Sequence, residues 1–353
     1  MSLRTPLCEL FGIEHPVVQT GMGWVAGARL TAATSSAGGL GILASATMTF
    51  EQLEQAIAQV KSRTDKPFGV NLRADQADMG RRVELLVREK VKVASFAQAP
   101  GKDVVRKLKD HGVLTMPTVG ARRHAEKVAE WGVDAVIAQG HEGGGHTGAV
   151  PTSLLVPQVV DAVGSIPVVA AGGFFDGRGL VAALAWGAAG VAMGTRFLLT
   201  QESTVPDAIK ATYLATPVTG TVVTRAIDGN PQRVIRTELV DAFERAGKLA
   251  ALVRAVRYAW QFRAITGASF IDLMREGFAM RAKGDLTFAQ MTMAASAPML
   301  TRATMVEGRP DVGILPTGQV VGVIDELPSV ADLMARIMRE AEQTLAHLRS
   351  LER

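Results

Sequence analysis

At 353 residues and a formal net charge of +4, the chain exceeds a minimal single domain and is too weakly charged to read as a polyanion binder. Its basic residues lack the interleaved aromatics of a nucleic-acid surface, and its single cysteine, Cys8, rules out an intramolecular disulfide. No basic-plus-apolar leader and no uncharged apolar run of about 18 residues is visible, so a cytoplasmic soluble enzyme is expected.

Hydrophobic residues make up 48% of the chain but aromatics only 5%, so the core must be built from Ala, Val, Leu, Ile and Met. Short apolar, often β-branched runs recur from Pro16 to Thr195. In order they are Val17–Gln19, Gly41–Ala44, Phe68–Asn71, Val91–Phe96, Val113–Met116, Ala135–Ala138, Pro167–Ala171 and Gly190–Met193. Continuous apolar runs of this length are the mark of parallel strands buried on both faces. Between them lie stretches with helical spacing. In Phe50–Val60 the side chains of Leu53, Ile57 and Val60 share one face, and in Gly120–Trp131 Ala125, Val128 and Ala129 can turn inward. Runs spaced by roughly 22 to 30 residues, the length of one βα unit, predict an α/β fold. A closed (β/α)8 TIM barrel accounts for them better than an open doubly wound sheet.

After about Thr200 the pattern changes. Residues 221–290 hold eleven Lys and Arg against seven Asp and Glu, with helical runs at Lys248–Phe262 and Phe270–Ala282 and turn signals at Asp228-Gly229 and Asn230-Pro231. Three regions are therefore expected: a barrel over 1–212, a mainly helical basic cap over 213–310, and a segment over 311–353 that returns to the barrel mouth and ends in a helix. Met291, Met293 and Met299 suit a core or a homo-oligomer interface equally.

In such a barrel the chemistry sits in the loops that follow the strands. The first run leads into Gly21, Met22 and Gly23, whose backbone could lie against a flat ring. The third ends in Asn71, and the fifth in Thr115, Pro117 and Thr118. The seventh ends in Gly172-Gly173 and the eighth in Gly194-Thr195, where glycine turns before helix starts aim backbone N–H groups at an anion. No G-x-x-x-x-G-K-[ST] sequence is present, so a phosphorylated cofactor is expected without a P-loop.

The sixth run delivers Gln139 and then Gly140-His141-Glu142-Gly143-Gly144-Gly145-His146-Thr147-Gly148. Glycines so clustered permit close backbone approach to a ligand, and an imidazole among them is a candidate acid or base near neutral pH. His141 and His146 are spaced wrongly for one helix face, and neither H-E-x-x-H nor a cysteine cluster occurs, so no metal is expected.

These pieces together resemble the nitronate monooxygenase (2-nitropropane dioxygenase-like) family of FMN-dependent barrels. The resemblance runs through Gln19-Thr20-Gly21-Met22-Gly23, Gly69-Val70-Asn71, Gln139 to Gly148, Ala170-Ala171-Gly172-Gly173-Phe174, Gly190 to Phe197 and Gly318-Gln319. It implies FMN in the barrel mouth, its phosphate on Gly172, Gly173, Gly194 and Thr195. Met22, Gly23, Asn71, Gln139, Gly144 and Gln319 would contact the isoalloxazine or ribityl. His146 matches the catalytic histidine, whereas no catalytic role is implied for His141.

Thr20 to Arg29, Gly172 to Gly179 and Arg236 to Val240 are more specifically similar to the family's acyl-CoA dehydrogenases of steroid C/D-ring breakdown. That branch implies a CoA thioester of a hydroxylated, methylated indanone as substrate and NAD(H) as electron partner. His146 would move a proton at a carbon acidified by the thioester while hydride passes to or from the flavin. Arg225, Arg233, Arg236, Arg254, Arg257 and Arg263 mark the region expected to receive the phosphates of CoA. The alternative activity is oxidation of alkyl nitronates or propionate-3-nitronate by O2.

Overall fold

The computed structural model describes residues 3–245 and 288–351. Eight parallel strands close in sequence order into a barrel. They are β1 (Val17–Gln19), β2 (Leu40–Ala44), β3 (Phe68–Leu72), β4 (Val93–Phe96), β5 (Leu114–Val119) and β6 (Val136–Gln139), then β8 (Val168–Ala171) and β9 (Gly190–Met193). A two-residue strand, β7 (Gly145–His146), falls between the last pairs and lies outside the barrel. Each expected run is a barrel strand, and β9 pairs with β1 to complete the ring, with Gln19 opposite Met193.

Alternation along the strands divides the side chains. Val18, Leu40, Ile42, Val93, Met116, Ile137, Val169, Ala171 and Ala192 form one buried cluster with Leu7, Cys8 and Phe11 of helix Pro6–Phe11. That helix plugs the end where the strands begin: Thr5 Oγ1 donates to Ala189 O at 2.6 Å, just before β9. The opposite end, where the strands finish, is left for the loops that carry polar and glycine residues.

Outside the ring, helices cover the other strand face. Helix Phe50–Lys61 starts at a reciprocal cap, with Gln52 N–H donating to Thr49 Oγ1 (3.2 Å) and Thr49 N–H to Gln52 Oε1 (3.0 Å). Its Leu53, Ile57 and Val60 are buried as their spacing predicts, each stabilising by about 1.5–3 kcal/mol. Helix Val330–Ser350 closes the far side of the barrel against helix Gly177–Ala185. A Cβ at Gly177 would stand 2.6 Å from Glu340 Cβ, while Gly177 N–H donates to Glu340 Oε2 at 2.9 Å. No helix among the described residues is long and apolar enough to cross a membrane.

The stretch expected to be a helical cap opens differently. A hairpin of β10 (Thr221–Thr224) and β11 (Gln232–Ile235) pairs with β7 in a three-stranded antiparallel sheet beside the barrel. The β-branched content of Thr221-Val222-Val223-Thr224 and the Asp228-Gly229 turn are ordinary hairpin signals, submerged in the basic character of the surrounding chain. Helices Glu238–Arg245 and Phe288–Met305 follow, whereas Lys248–Phe262 and Phe270–Ala282 lie outside the described residues.

Candidate active site

The strand-end residues converge on one mouth. A Cβ at Gly21 would stand 3.0 Å from Asn71 Cγ, and one at Gly194 would stand 3.2 Å from Thr20 Oγ1 and 3.4 Å from Met22 Sδ. The ends of β1, β3 and β9 therefore touch through missing side chains. Asn71 is buried and oriented: its Nδ2 donates to Ser95 Oγ at 3.1 Å. Gly23 lies beside the loop after β2, with Thr47 Cγ2 3.1 Å from its Cβ position.

The same β1 loop is tied to the C-terminal half. Trp24 holds a φ of 65°, a left-handed conformation that bulky residues seldom adopt. Its indole N–H donates to Pro298 O of helix Phe288–Met305 at 3.0 Å.

Across the mouth, Gly172 and Gly173 both have positive φ, 90° and 89°, at the turn after β8. Gly173 is open where a side chain would be, with nothing nearer than Glu142 Cβ at 3.8 Å. After β9, Thr195 Oγ1 accepts the N–H of Gly318 at 2.8 Å, and Gln319 N–H donates to Glu142 O at 2.9 Å. The late Gly318-Gln319 pair thus returns to the mouth and rests on both the glycine loop and the start of helix Thr195–Leu198. A Cβ on Gly144 would overlap Gly318 N and the carbonyl carbon of Thr317, so this passage requires glycine. Arg196 secures the return from below, donating to Leu199 O (2.7 Å) and Glu326 O (3.0 Å). Burial, and then the nearby charge of Arg336, push its pKa down to about 10.

The glycine loop is a fixed structure. His141 donates its backbone N–H to Val150 O and its ring Nδ1–H to Gly148 O, each at 2.8 Å. Glu142 Oε2 accepts Thr152 N–H at 3.0 Å and lies 2.7 Å from Thr152 Oγ1, at the first residue of helix Thr152–Val163. Gln139 Nε2 donates to His146 O at 2.7 Å, so this amide supports the loop at the mouth. His146 stands apart from the other two. Its side chain is 63% exposed, and Nε2 lies 2.6 Å from Oδ2 of Asp228, whose own side chain is only 6% exposed. Burial would raise the Asp228 pKa, but hydrogen bonding and charge from His146 and the N–H of Asn230 bring it below the usual carboxylate value.

Asp228 is the candidate-site residue the sequence reading passed over, seen there only as half of a turn signal. It reaches His146 because β11 pairs with β7, Gln232 opposite His146 and Arg233 opposite Gly145. The same pairing corrects the expectation for Arg233. That side chain is buried and committed, donating to His141 O (3.1 Å) and Thr221 Oγ1 (2.8 Å), and is not available to a CoA phosphate. Arg225 is exposed, Arg236 is exposed and paired with Asp241 at 3.0 Å, and Arg254, Arg257 and Arg263 lie outside the described residues.

A family model described as nitronate monooxygenase matches residues 4–82 and 78–340, nearly the whole chain. The chain belongs to the nitronate monooxygenase family. Within this family it is 58% identical, over 99% of both chains, to the (3aS,4S,5R,7aS)-5-hydroxy-7a-methyl-1-oxo-octahydro-1H-indene-4-carboxyl-CoA dehydrogenase of Rhodococcus jostii. It is 57% identical to the protein of the same name from Mycobacterium tuberculosis, over 99% of this chain and 98% of the relative. Among solved structures, FabK from Thermotoga maritima superposes with a TM-score of 0.79 at 36% identity, covering 99% of each chain. The family match thus runs over nearly the whole sequence, and the chain is an FMN-type oxidoreductase.

Proposed function

We propose that this chain is an FMN-dependent α,β-dehydrogenase of a bulky acyl-CoA thioester, a hydroxy-methyl-oxo-indane carboxyl-CoA, working in the cytoplasm with NAD(H) as electron partner. The observation that carries this reading is end-to-end identity of 58% to a relative named for that substrate, since a match over 99% of both chains includes the regions outside the barrel. His146 at the mouth supplies the group the chemistry requires.

The residues present suit FMN. The paired positive-φ glycines, open at Gly173, and the helix start at Thr195 form a turn in which backbone N–H groups can meet a phosphate. Gly172, Gly173, Gly194 and Thr195 would hold that end. Gly21, Met22, Gly23 and Asn71 from one wall, with Gln139, Gly144 and Gln319 from the other, would contact the ring and ribityl. Bound FMN would supply the two-electron acceptor, which no side chain can. The chain's own task is to hold the thioester, keep water out, and take the proton from the carbon beside the carbonyl on His146.

Replacing Gly144 with Ala is expected to push the Thr317–Gly318 segment away from the mouth. FMN affinity should fall about ten-fold or more, with a stability loss of about 1–3 kcal/mol. Fluorescence titration of released FMN checks this, and unchanged affinity would show that the contact lies outside the cofactor pocket.

The second reading, oxidation of a nitronate by O2, is favoured by a 34% identical relative named a probable nitronate monooxygenase in Staphylococcus saprophyticus, which matches 68% of this chain. Anaerobic titration separates the two. The visible flavin spectrum should bleach on adding the indane carboxyl-CoA ester, or NADH in the reverse direction. Bleaching by alkyl nitronates alone would overturn the dehydrogenase reading.

A further inference from the structure

We propose that Asp228 is the positioning residue of the proton-transfer histidine: it accepts the Nε2–H of His146 and thereby makes Nδ1 the atom that exchanges a proton with substrate. The inference rests on the assignment of His146 above, and it concerns a contact between two segments 82 residues apart.

The carboxylate is anchored on both sides. Oδ1 accepts the backbone N–H of Asn230 at 3.0 Å, closing the turn between β10 and β11, while Oδ2 lies 2.6 Å from His146 Nε2. The histidine backbone is fixed independently, through its register with Gln232 and the amide of Gln139 on its carbonyl. Asp228 therefore cannot turn away without breaking its contact with Asn230, and the backbone from which the His146 ring projects toward it is held in place.

An ionised carboxylate only accepts hydrogen bonds, so Nε2 must carry the proton of the neutral ring. The lone pair then falls on Nδ1, which makes no hydrogen bond to the described residues. When Nδ1 takes a proton, the resulting imidazolium already faces a buried negative charge. This is the division of labour between the acid and imidazole of a hydrolase triad, reached on a different fold.

The neighbouring charged groups are engaged elsewhere. Arg233 on β11 binds His141 O and Thr221, Glu142 binds Thr152, His141 binds Gly148 O, and Arg225 is exposed in the turn. Among the described residues, Asp228 is the charged group in contact with the His146 ring.

Asp228→Asn distinguishes this role from that of a plain turn residue. The amide keeps an oxygen for Asn230 N–H, so the hairpin should survive. Its NH2 must instead donate to Nε2, which moves the ring proton to Nδ1. In FMN-loaded protein carrying 15N-histidine, NMR should find the unprotonated nitrogen of His146 at Nδ1 in the parent and at Nε2 in the variant. Turnover should fall by about 10²-fold or more with FMN still bound.

Parent-like turnover and an unchanged tautomer in Asp228→Asn would overturn the proposal. So would a protonated Nδ1 in the parent protein, a result that needs no variant to fold. If instead His146→Ala turns over normally, the assignment of His146 fails first; if that variant is inactive while Asp228→Asn is not, this inference alone fails.

Discussion

Turnover of His146→Ala is expected to fall by about 10²–10⁴-fold, the range that loss of a positioned acid or base produces, while FMN remains bound. The structure explains why the two effects separate. The imidazole is largely exposed and contacts the Asp228 carboxylate, so truncation opens no core cavity. What His146 contributes to the fold is backbone: its pairing with Gln232 and its carbonyl, which accepts from Gln139. Alanine retains both. Steady-state rates with the CoA ester, beside the visible spectrum of the purified variant, make the measurement. Near-parental turnover would remove His146 from the chemistry and leave the proton to another group.

A second large effect is expected far from the chemistry, at Gly41→Ala. Gly41 sits in β2, between Gln19 of β1 and Phe68 of β3, with its N–H donating to Ser35 Oγ at 3.3 Å. An added Cβ would overlap the carbonyl oxygen of Thr31 and stand 2.8 Å from its carbonyl carbon and 2.9 Å from its Cα. All of these are backbone atoms of a buried helix turn, and on the other side a barrel strand is held by two neighbours, so neither can yield cheaply. The cost should be at least about 3 kcal/mol, a large part of the roughly 5–15 kcal/mol that keeps a protein folded. Thermal unfolding should shift down by roughly 4 °C or more. A midpoint within a degree of the parent would mean that helix Ala28–Ser36 is not seated on β2 as described.

Both residues illustrate which kinds of information the sequence carries. The barrel was legible because each strand is buried on both faces and must therefore be a continuous apolar run, such as Val168–Ala171, whatever its neighbours are. The glycines of the mouth were legible for a similar reason. Gly172 and Gly173 need positive φ and Gly144 needs the absence of a Cβ, requirements that leave their mark on single positions. His146 was singled out by resemblance to the family's catalytic histidine, since the loop alone offers His141 equally, and His141 is spent on Gly148 O.

Asp228 had no comparable mark. An Asp-Gly pair is a turn wherever it occurs, and nothing local distinguishes a turn that faces solvent from one that buries its carboxylate against a histidine. The hairpin itself was obscured by its basic setting, and its third strand, Gly145–His146, is too short to have a period at all. Arg233 was misjudged for the same reason: its charge is visible in the sequence, but its burial beneath the loop is not.

The sequence by itself therefore determined the closed barrel and the ring of loops at its mouth, because burial on two faces and forbidden backbone angles act residue by residue, while likeness to the family picked His146 from the loop's two histidines. Only the tertiary structure decided what the histidine touches, where the late Gly318-Gln319 turn comes to rest, and which arginines are spent on the fold. Those outcomes depend on antiparallel pairing between segments some eighty residues apart, and pairing energy belongs to the pair, with no trace in either strand alone.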